Sequence, residues 1–155
     1  MNDNNRVTPH GSELVDLLVD EERARLLKEI ALNLPDITLN ERQMCDLELM
    51  ATGAFSPLKG FMTRSDYESV LDRMRLQNDM LWPIPICLDV DELKARSLEA
   101  GQSVALRDPE GYLLAVMHID DIWKADPEKE AEGVFGTRDQ AHPGTNYLIN
   151  RAILK

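Results

Sequence analysis

Two prolines spaced two residues apart place the strongest constraint on how this 155-residue chain can fold. In the segment 81–88, large apolar residues such as Trp82 and Ile86 alternate with Pro83 and Pro85, a period-two pattern typical of a β-strand. Backbone N–H groups two residues apart point to the same side of a strand, and proline has no N–H to donate. The segment is therefore predicted to be a strand at a sheet edge or at the opening of a barrel.

Helical patterns dominate the chain before this segment. Asp20 is predicted to cap a first helix, which Pro35 stops, and Asn40 opens a capping-box pattern for a second helix. The stretch that begins at Ser65 shows the same capping-box pattern for a third helix. The segment 12–19 fits either a strand or a short helix, because its periodicity does not decide between them.

Strand patterns are concentrated after the helices. We predict strands at 37–39, 103–107 and 112–119, and the residues 108–111 have the Pro and Gly positions of a type I turn. The last two strands should therefore form a hairpin. Helices come first and strands follow, without β-α-β alternation, so the sequence predicts an α+β domain with a small antiparallel sheet or barrel.

The charge balance excludes several classes of function. The chain has 17 Lys and Arg residues against 28 Asp and Glu residues, a net charge of −11 with neutral His. Such a chain is a poor nucleic-acid binder and is repelled by anionic membranes and substrates. Its N-terminal residues lack an apolar signal sequence, and its apolar runs are far below the ~20 residues of a membrane span. We expect a soluble, cytoplasmic protein.

The two cysteines indicate a reducing compartment. Cys45 and Cys87 are far apart, have no metal-ligand spacing and lie among apolar residues, so both are expected to be buried free thiols. A nucleophilic set of Cys45, His142 and Asp139 is disfavoured, because a thiol surrounded by apolar helix residues reacts poorly. The sequence also lacks the phosphate-binding glycine loops and the zinc-binding His-Glu-x-x-His motif.

The histidines leave two interpretations open. His118 is expected to be a hydrogen-bonded strand residue, and His10 has no identifiable catalytic partner. His142 lies near Arg138 and Asp139 in a tail, 137–155, that is predicted to hold a loop and an apolar stretch. This loop either carries function, as polar clusters on ordered loops often do, or is held by hydrogen bonds from Asp and His to the backbone.

A series of separate motifs follows the order and spacing of a known enzyme family. The motifs are CDLEL (45–49), FSPLKGFM (55–62), WPIPI (82–86), LDV (88–90), FGTRD (135–139) and HPG (142–144). Near the N-terminus, Pro9, His10 and Gly11 resemble the family's opening Pro-His-Gly-Gly, with Ser12 replacing the second Gly. Together, over nearly the whole chain, these motifs resemble the N-terminal PUA-like domain of ATP sulfurylase, also called sulfate adenylyltransferase.

The resemblance implies a fold for this chain and places catalysis in a second domain. The polar residues 1–11 are expected to be a flexible lead, and over 12–155 the resemblance implies a PUA-like small mixed or antiparallel β-barrel with flanking helices. Relatives continue with another strand after the equivalent of residue 150, so here either the last barrel strand is missing and another chain fills the gap, or the C-terminal residues pair differently. In full enzymes a larger α/β domain follows and forms adenosine 5′-phosphosulfate and pyrophosphate from ATP and sulfate. The family's Gln-x-Arg-Asn and His-x-x-His motifs belong to that domain and do not occur here.

The resemblance therefore maps no catalytic, cofactor-binding or metal-binding residue onto this chain, and ATP and Mg are expected only for the full enzyme. Two segments are candidate interfaces to the catalytic domain, in cis or in trans. The loop 54–62 is too apolar for an exposed linker, and the loop 137–144 is the second candidate. The candidate interface residues are Phe55, Pro57, Leu58, Phe61, Met62, Thr137, Arg138, Asp139 and His142.

We accordingly expect a structural and interface domain that is inactive alone. Adenylyl transfer gathers several negative charges and needs cations preorganised around them, which a chain of net charge −11 without a cationic cluster does not supply. Two alternatives are a regulatory remnant and a free-standing PUA-like RNA-binding module. The RNA-binding module would use a patch of Arg6, Arg23, Arg25 and Lys28, or of Lys59 and Arg64. A homo-oligomer is also open.

Overall fold

The computed structural model describes residues 8–11 and 13–151, and it has the predicted α+β architecture. Within these residues the elements are, in chain order, α1 (Glu21–Ala31), β1 (Asp36–Thr38), α2 (Glu41–Ala51), α3 (Arg64–Arg73), α4 (Glu92–Ala95), β2 (Ser103–Arg107), β3 (Leu113–His118), α5 (Pro127–Phe135) and α6 (Pro143–Asn150). Helices thus surround a small sheet, as expected for a PUA-like domain.

The sheet is mixed and open. Its strand order is β1-β2-β3, with β1 parallel to β2 and β2 antiparallel to β3. The predicted hairpin is confirmed: the N–H of Gly111 donates to the carbonyl oxygen of Asp108 at 3.0 Å, and Gly111 has a φ of 91° that suits glycine. In the described part of the chain β3 is an outer strand, so the sheet does not close into a complete barrel.

The interior has two hydrophobic cores, one built around α3 and one around the sheet. Val104, Ala105 and Leu106 of β2 are almost fully buried, with exposed fractions of 0%, 0% and 1%. Cys87 belongs to the core built around α3, whereas the next residue, Leu88, belongs to the core built around the sheet. An extended segment sends successive side chains to opposite sides, so the segment around these two residues connects the two cores.

The N-termini of α1 and α2 confirm the capping residues predicted from the sequence. The Asp20 side chain accepts a hydrogen bond from the N–H of Arg23 at 2.8 Å. Asn40 and Gln43 form a complete capping box, in which each side chain accepts from the backbone N–H of the other residue, at 3.0 and 2.9 Å. The first helix ends at Ala31, earlier than the stop predicted at Pro35.

The predicted cap at Ser65 is wrong by two residues. Helix α3 begins at Arg64 with Thr63 as its N-cap residue, so Ser65 lies inside the first turn. The carboxylate of Asp121 accepts from the N–H of Arg64 at 3.2 and 3.3 Å. A carboxylate that is distant in sequence thus satisfies a helix terminus that local capping would otherwise serve.

The strand predicted over 81–88, at a sheet edge or barrel opening, does not form. An isolated bridge joins Arg75 and Leu81, and beyond it the N–H of Met62 donates to the carbonyl oxygen of Ile86 at 2.8 Å. Because Pro83 and Pro85 cannot donate, an edge ladder does not propagate along this side. The described part of the segment 12–19 is neither helix nor strand, and residues 147–149 lie in helix α6.

Removing side-chain volume at the centre of β2 should destabilise the fold strongly. Leu106→Ala is expected to lower the free energy of unfolding by about 2–5 kcal/mol, because Leu106 is 1% exposed and the truncation leaves a cavity. The matched control is Leu93→Ala, whose side chain is 81% exposed and should change stability by less than about 0.5 kcal/mol. Urea denaturation measures both, and equal losses would contradict the placement of the core.

Candidate interface surfaces

An apolar trough opens beside the outer strand of the sheet. It encloses about 780 Å³ between the segment 17–19, helix α2, the loop 57–63 and strand β3. Its walls include Leu18 and Leu114, which are 65% and 45% exposed. Exposed apolar side chains grouped around a cleft mark a docking surface more often than singly scattered ones do.

Four of the predicted interface residues line this trough. They are Pro57, Leu58, Phe61 and Met62. Leu58 and Met62 are also core residues, with exposed fractions of 7% and 5%, whereas Pro57 and Phe61 are half-buried. The apolar character of this loop thus serves the interior of the domain as well as the trough wall.

The fifth apolar interface candidate, Phe55, does not line the trough. Phe55 packs edge-on against Trp82, with ring centroids 6.1 Å apart and an interplanar angle of 79°. This arrangement is a favourable aromatic geometry, and it places Phe55 against the core that includes Trp82. The imidazole of His10 approaches the same indole from another direction, and its Nε2 donates to the carbonyl oxygen of Leu81 at 2.8 Å.

The second predicted surface, the loop between α5 and α6, uses its polar residues to hold its own shape. The carboxylate of Asp139 accepts from the N–H of Ala141 at 2.9 Å, and Nδ1 of His142 accepts from the N–H of Thr145 at 3.4 Å. Arg138 forms an ion pair with Glu132 on α5. Of the two interpretations of this loop, these contacts are those of a loop held by Asp and His hydrogen bonds.

The same loop is packed tightly enough to present a defined surface. The hydroxyl of Thr145 donates to the carbonyl oxygen of Thr137 at 3.2 Å. The rings of Phe135 and His142 lie 4.9 Å apart, and a side chain at Gly144 would overlap the ring of Phe135. Arg138, Asp139 and His142 nevertheless remain exposed, so they are accessible to a partner.

A cluster of charged residues that sequence reasoning did not find lies at the end of α6. Arg151 forms ion pairs with Glu130 on α5 and with Asp89, and Arg42 on α2 binds Asp89 at 2.7 Å. The Nε of Arg42 also donates to the hydroxyl of Tyr147 on α6 at 2.9 Å. We call Arg42, Asp89, Glu130, Tyr147 and Arg151 the arginine clasp.

Burial raises the pKa of two residues that contact the clasp, Tyr67 and Asp46. The side chains of Asp89 and Glu130 are each 4% exposed, and the hydroxyl of Tyr67 donates to Glu130 at 3.0 Å. Burial, followed by the neighbouring Glu130 carboxylate, raises the pKa of Tyr67 far above its ordinary value, so the phenol stays a donor. Burial also raises the pKa of Asp46, against the opposing effect of the ion pair with Arg42.

The cysteines and His118 were the other residues considered for chemistry. Cys87 is buried as expected, but the prediction that Cys45 is buried is wrong, because Cys45 lies on an exposed face of α2. His118 is exposed at the end of β3. Among residues 8–11 and 13–151, no group of three or more His, Cys, Asp and Glu is arranged to hold a metal ion. No helix in the same ranges is long and apolar enough to cross a membrane.

Comparison with known proteins assigns this architecture to a family. The family model described as "PUA-like domain" matches residues 7–154, and the chain belongs to this family. Its relatives narrow the assignment, since the chain is 48% identical over 144 residues to a sulfate adenylyltransferase of Mycosarcoma maydis and 41% identical over 145 residues to one of Synechococcus. The chain is thus an N-terminal domain of the kind found in sulfate adenylyltransferases, as the motifs predicted.

The relatives are much longer than this chain. The matches cover 90% and 94% of this chain but 25% of the Mycosarcoma protein and 37% of the Synechococcus protein. A solved structure described as "Hexameric APS kinase from Thiobacillus denitrificans" superposes with a TM-score of 0.71 at 41% identity, over 77% of this chain and 24% of that one. The chain therefore spans about a quarter to just over a third of the curated relatives it matches.

Substituting Gly144 tests whether the second surface is packed as described. Gly144→Ala should lower the free energy of unfolding by about 0.5–1 kcal/mol, because the added methyl group pushes the exposed ring of Phe135 away from His142, which outweighs the higher helix propensity of alanine. Gly60→Ala is the control, since its methyl group meets nothing within 4 Å, and it should cost less than about 0.5 kcal/mol. If urea denaturation finds the two variants equally stable, the described packing is incorrect.

Proposed function

We propose that this chain is the N-terminal structural and interface domain of a sulfate adenylyltransferase and that it is not catalytically competent alone. The observation that carries the proposal is the extent of the similarity: nearly all of this chain matches sulfate adenylyltransferases, but it accounts for only 25–37% of their length. The parent reaction converts ATP and sulfate into adenosine 5′-phosphosulfate and pyrophosphate. The proposal assigns that chemistry, with ATP and Mg, to the remaining part of the enzyme.

The ion pairs of four arginines support the proposal that this domain is inactive alone. Stabilising the charge on a transferring adenylyl group requires cationic donors aimed at the phosphates. Here Arg42 and Arg151 bind the buried carboxylates of the clasp, and Arg64 and Arg138 bind Glu68 and Glu132, respectively. These arginines are already neutralised by partners within the domain. The pairing of Arg64 also weakens one of the two basic patches that an RNA-binding module would use.

The trough supports the interface role, and we assign it to an apolar segment of the catalytic part. The outer strand β3 forms one wall, and an outer strand offers unpaired backbone groups to an added extended segment. Leu18 and Leu114 supply exposed apolar side chains to the trough. A partner that buries these side chains gains roughly 25 cal/mol for each Å² of apolar surface removed from water.

Two further parts of the proposal concern the setting of the enzyme. Cys45 and Cys87 are free thiols, which is the state that a reducing cytoplasm maintains. A homo-oligomer is also proposed, because a similar solved structure is described as a hexameric APS kinase. The exposed loop 137–142 offers a second surface for contacts with the catalytic part or with another copy.

Reconstitution in trans tests the proposal. The partner is the remaining three quarters of the Mycosarcoma relative, and the readouts are binding by calorimetry and pyrophosphate release in the presence of ATP, Mg and sulfate. We expect no turnover by this chain alone and saturable binding of the two parts. Pyrophosphate release by this chain alone, or failure of the parts to bind, would contradict the proposal.

A charge placed in the trough should weaken this association specifically. Leu114→Glu puts a carboxylate into the apolar trough and should raise the Kd at least about tenfold, because the charge must be desolvated on docking. Leu93→Glu is the matched control, since Leu93 is 81% exposed and is not part of the trough wall. Equal affinities for the two variants would show that the trough is not the docking surface.

A further inference from the structure

We propose that helix α6 is a latch, held to the body of the domain by the arginine clasp, that opens as a unit while both hydrophobic cores stay folded. This inference goes beyond the proposed function. It concerns how the exposed loop 137–142, which leads into α6, is held in position or released. Three features carry it: how α6 is attached, what remains when it leaves, and how the loop is tied to it.

Polar contacts join the C-terminal end of α6 to the body of the domain. Its buried residues are Thr145 and Leu148, and the helix packs mainly against its neighbour α5. Its links to the rest of the domain include the hydrogen bond from Arg42 to Tyr147 and the ion pair of Arg151 with Asp89. The guanidinium of Arg151 also lies 5.9 Å from the centre of the Tyr147 ring, which joins the two clasp residues at this end of α6.

The clasp residues on the body have other partners when α6 leaves. Asp89 is bound by Arg42 at 2.7 Å, and Glu130 accepts from the hydroxyl of Tyr67 at 3.0 Å. A buried carboxylate that loses its sole partner is strongly destabilising, but here each carboxylate keeps at least one donor that does not belong to α6. Opening therefore leaves Asp89 paired with the Arg42 cation and Glu130 with the hydrogen bond from Tyr67, and water must replace Arg151 at Glu130 in the open state.

The N-terminal end of α6 is hydrogen-bonded to the loop 137–142. His142 accepts from the N–H of Thr145, and the hydroxyl of Thr145 donates to the carbonyl oxygen of Thr137. The loop and the helix therefore share hydrogen bonds and should move together. Under the proposed function, the clasp then controls whether this second candidate interface is presented in its packed form.

Amide hydrogen exchange on the isolated chain tests the latch. In the wild-type protein, amides of residues 144–150 and of the loop 137–142 should share one opening reaction with a lower free energy and a smaller urea dependence than the opening of β2 amides, and in Arg151→Met they should exchange at least about tenfold faster. Tyr147→Phe keeps the ring and loses only the hydroxyl that accepts from Arg42, so it should accelerate the same region by a few-fold. Arg96→Met is the control, because Arg96 is 71% exposed in an ordinary surface pair with Glu92.

The outcomes separate the latch from a general loss of stability. If the wild-type amides of α6 opened with the same free energy and urea dependence as those of β2, the helix would unfold only with the whole domain and there would be no latch, and unchanged exchange of α6 in Arg151→Met would show that the clasp does not hold it. If Arg151→Met fails to fold, Tyr147→Phe decides between the same outcomes. The measurement needs no catalytic partner, so failed binding in trans would overturn the proposed function without affecting this result.

Discussion

The free outer edge of β3 is the constraint from which both the packing and the proposed role of this domain follow. A three-stranded sheet of order β1-β2-β3 buries the centre of its middle strand, but β3 is left with an unpaired side in the described part of the chain. The adjoining trough of about 780 Å³ is apolar, and a domain that exposes both features is suited to receive another segment. An incompletely closed barrel is therefore their common physical cause.

Local sequence signals predicted most of the local structure. The caps at Asp20 and Asn40 and the hairpin turn at 108–111 are set by groups within a few residues of one another, and all three are confirmed. The errors occur where distant residues decide. Helix α3 begins before the predicted cap at Ser65, and Asp121 accepts from the first N–H of the helix. The alternating pattern suggested a strand over 81–88, but Pro83 and Pro85 lack the N–H donors that a ladder needs.

The candidate site was only partly predictable for the same reason. The apolar character of 55–62 identified a segment of the trough, but the contribution of β3 was not visible in the sequence. The arginine clasp joins Arg42 to Arg151 across more than a hundred residues, and no spacing motif encodes such a contact. Polar residues of the loop 137–142 were recognised, although their contacts serve local structure first.

The central claim is that this domain scaffolds a sulfate-activating enzyme without holding its nucleotide. The net charge of −11 and the pairing of its arginines with carboxylates both oppose a triphosphate site. Equilibrium dialysis of ATP with Mg against the isolated chain tests this claim most directly. The account predicts no saturable binding at millimolar nucleotide, whereas saturable binding with a micromolar Kd that competes with adenosine 5′-phosphosulfate would contradict it.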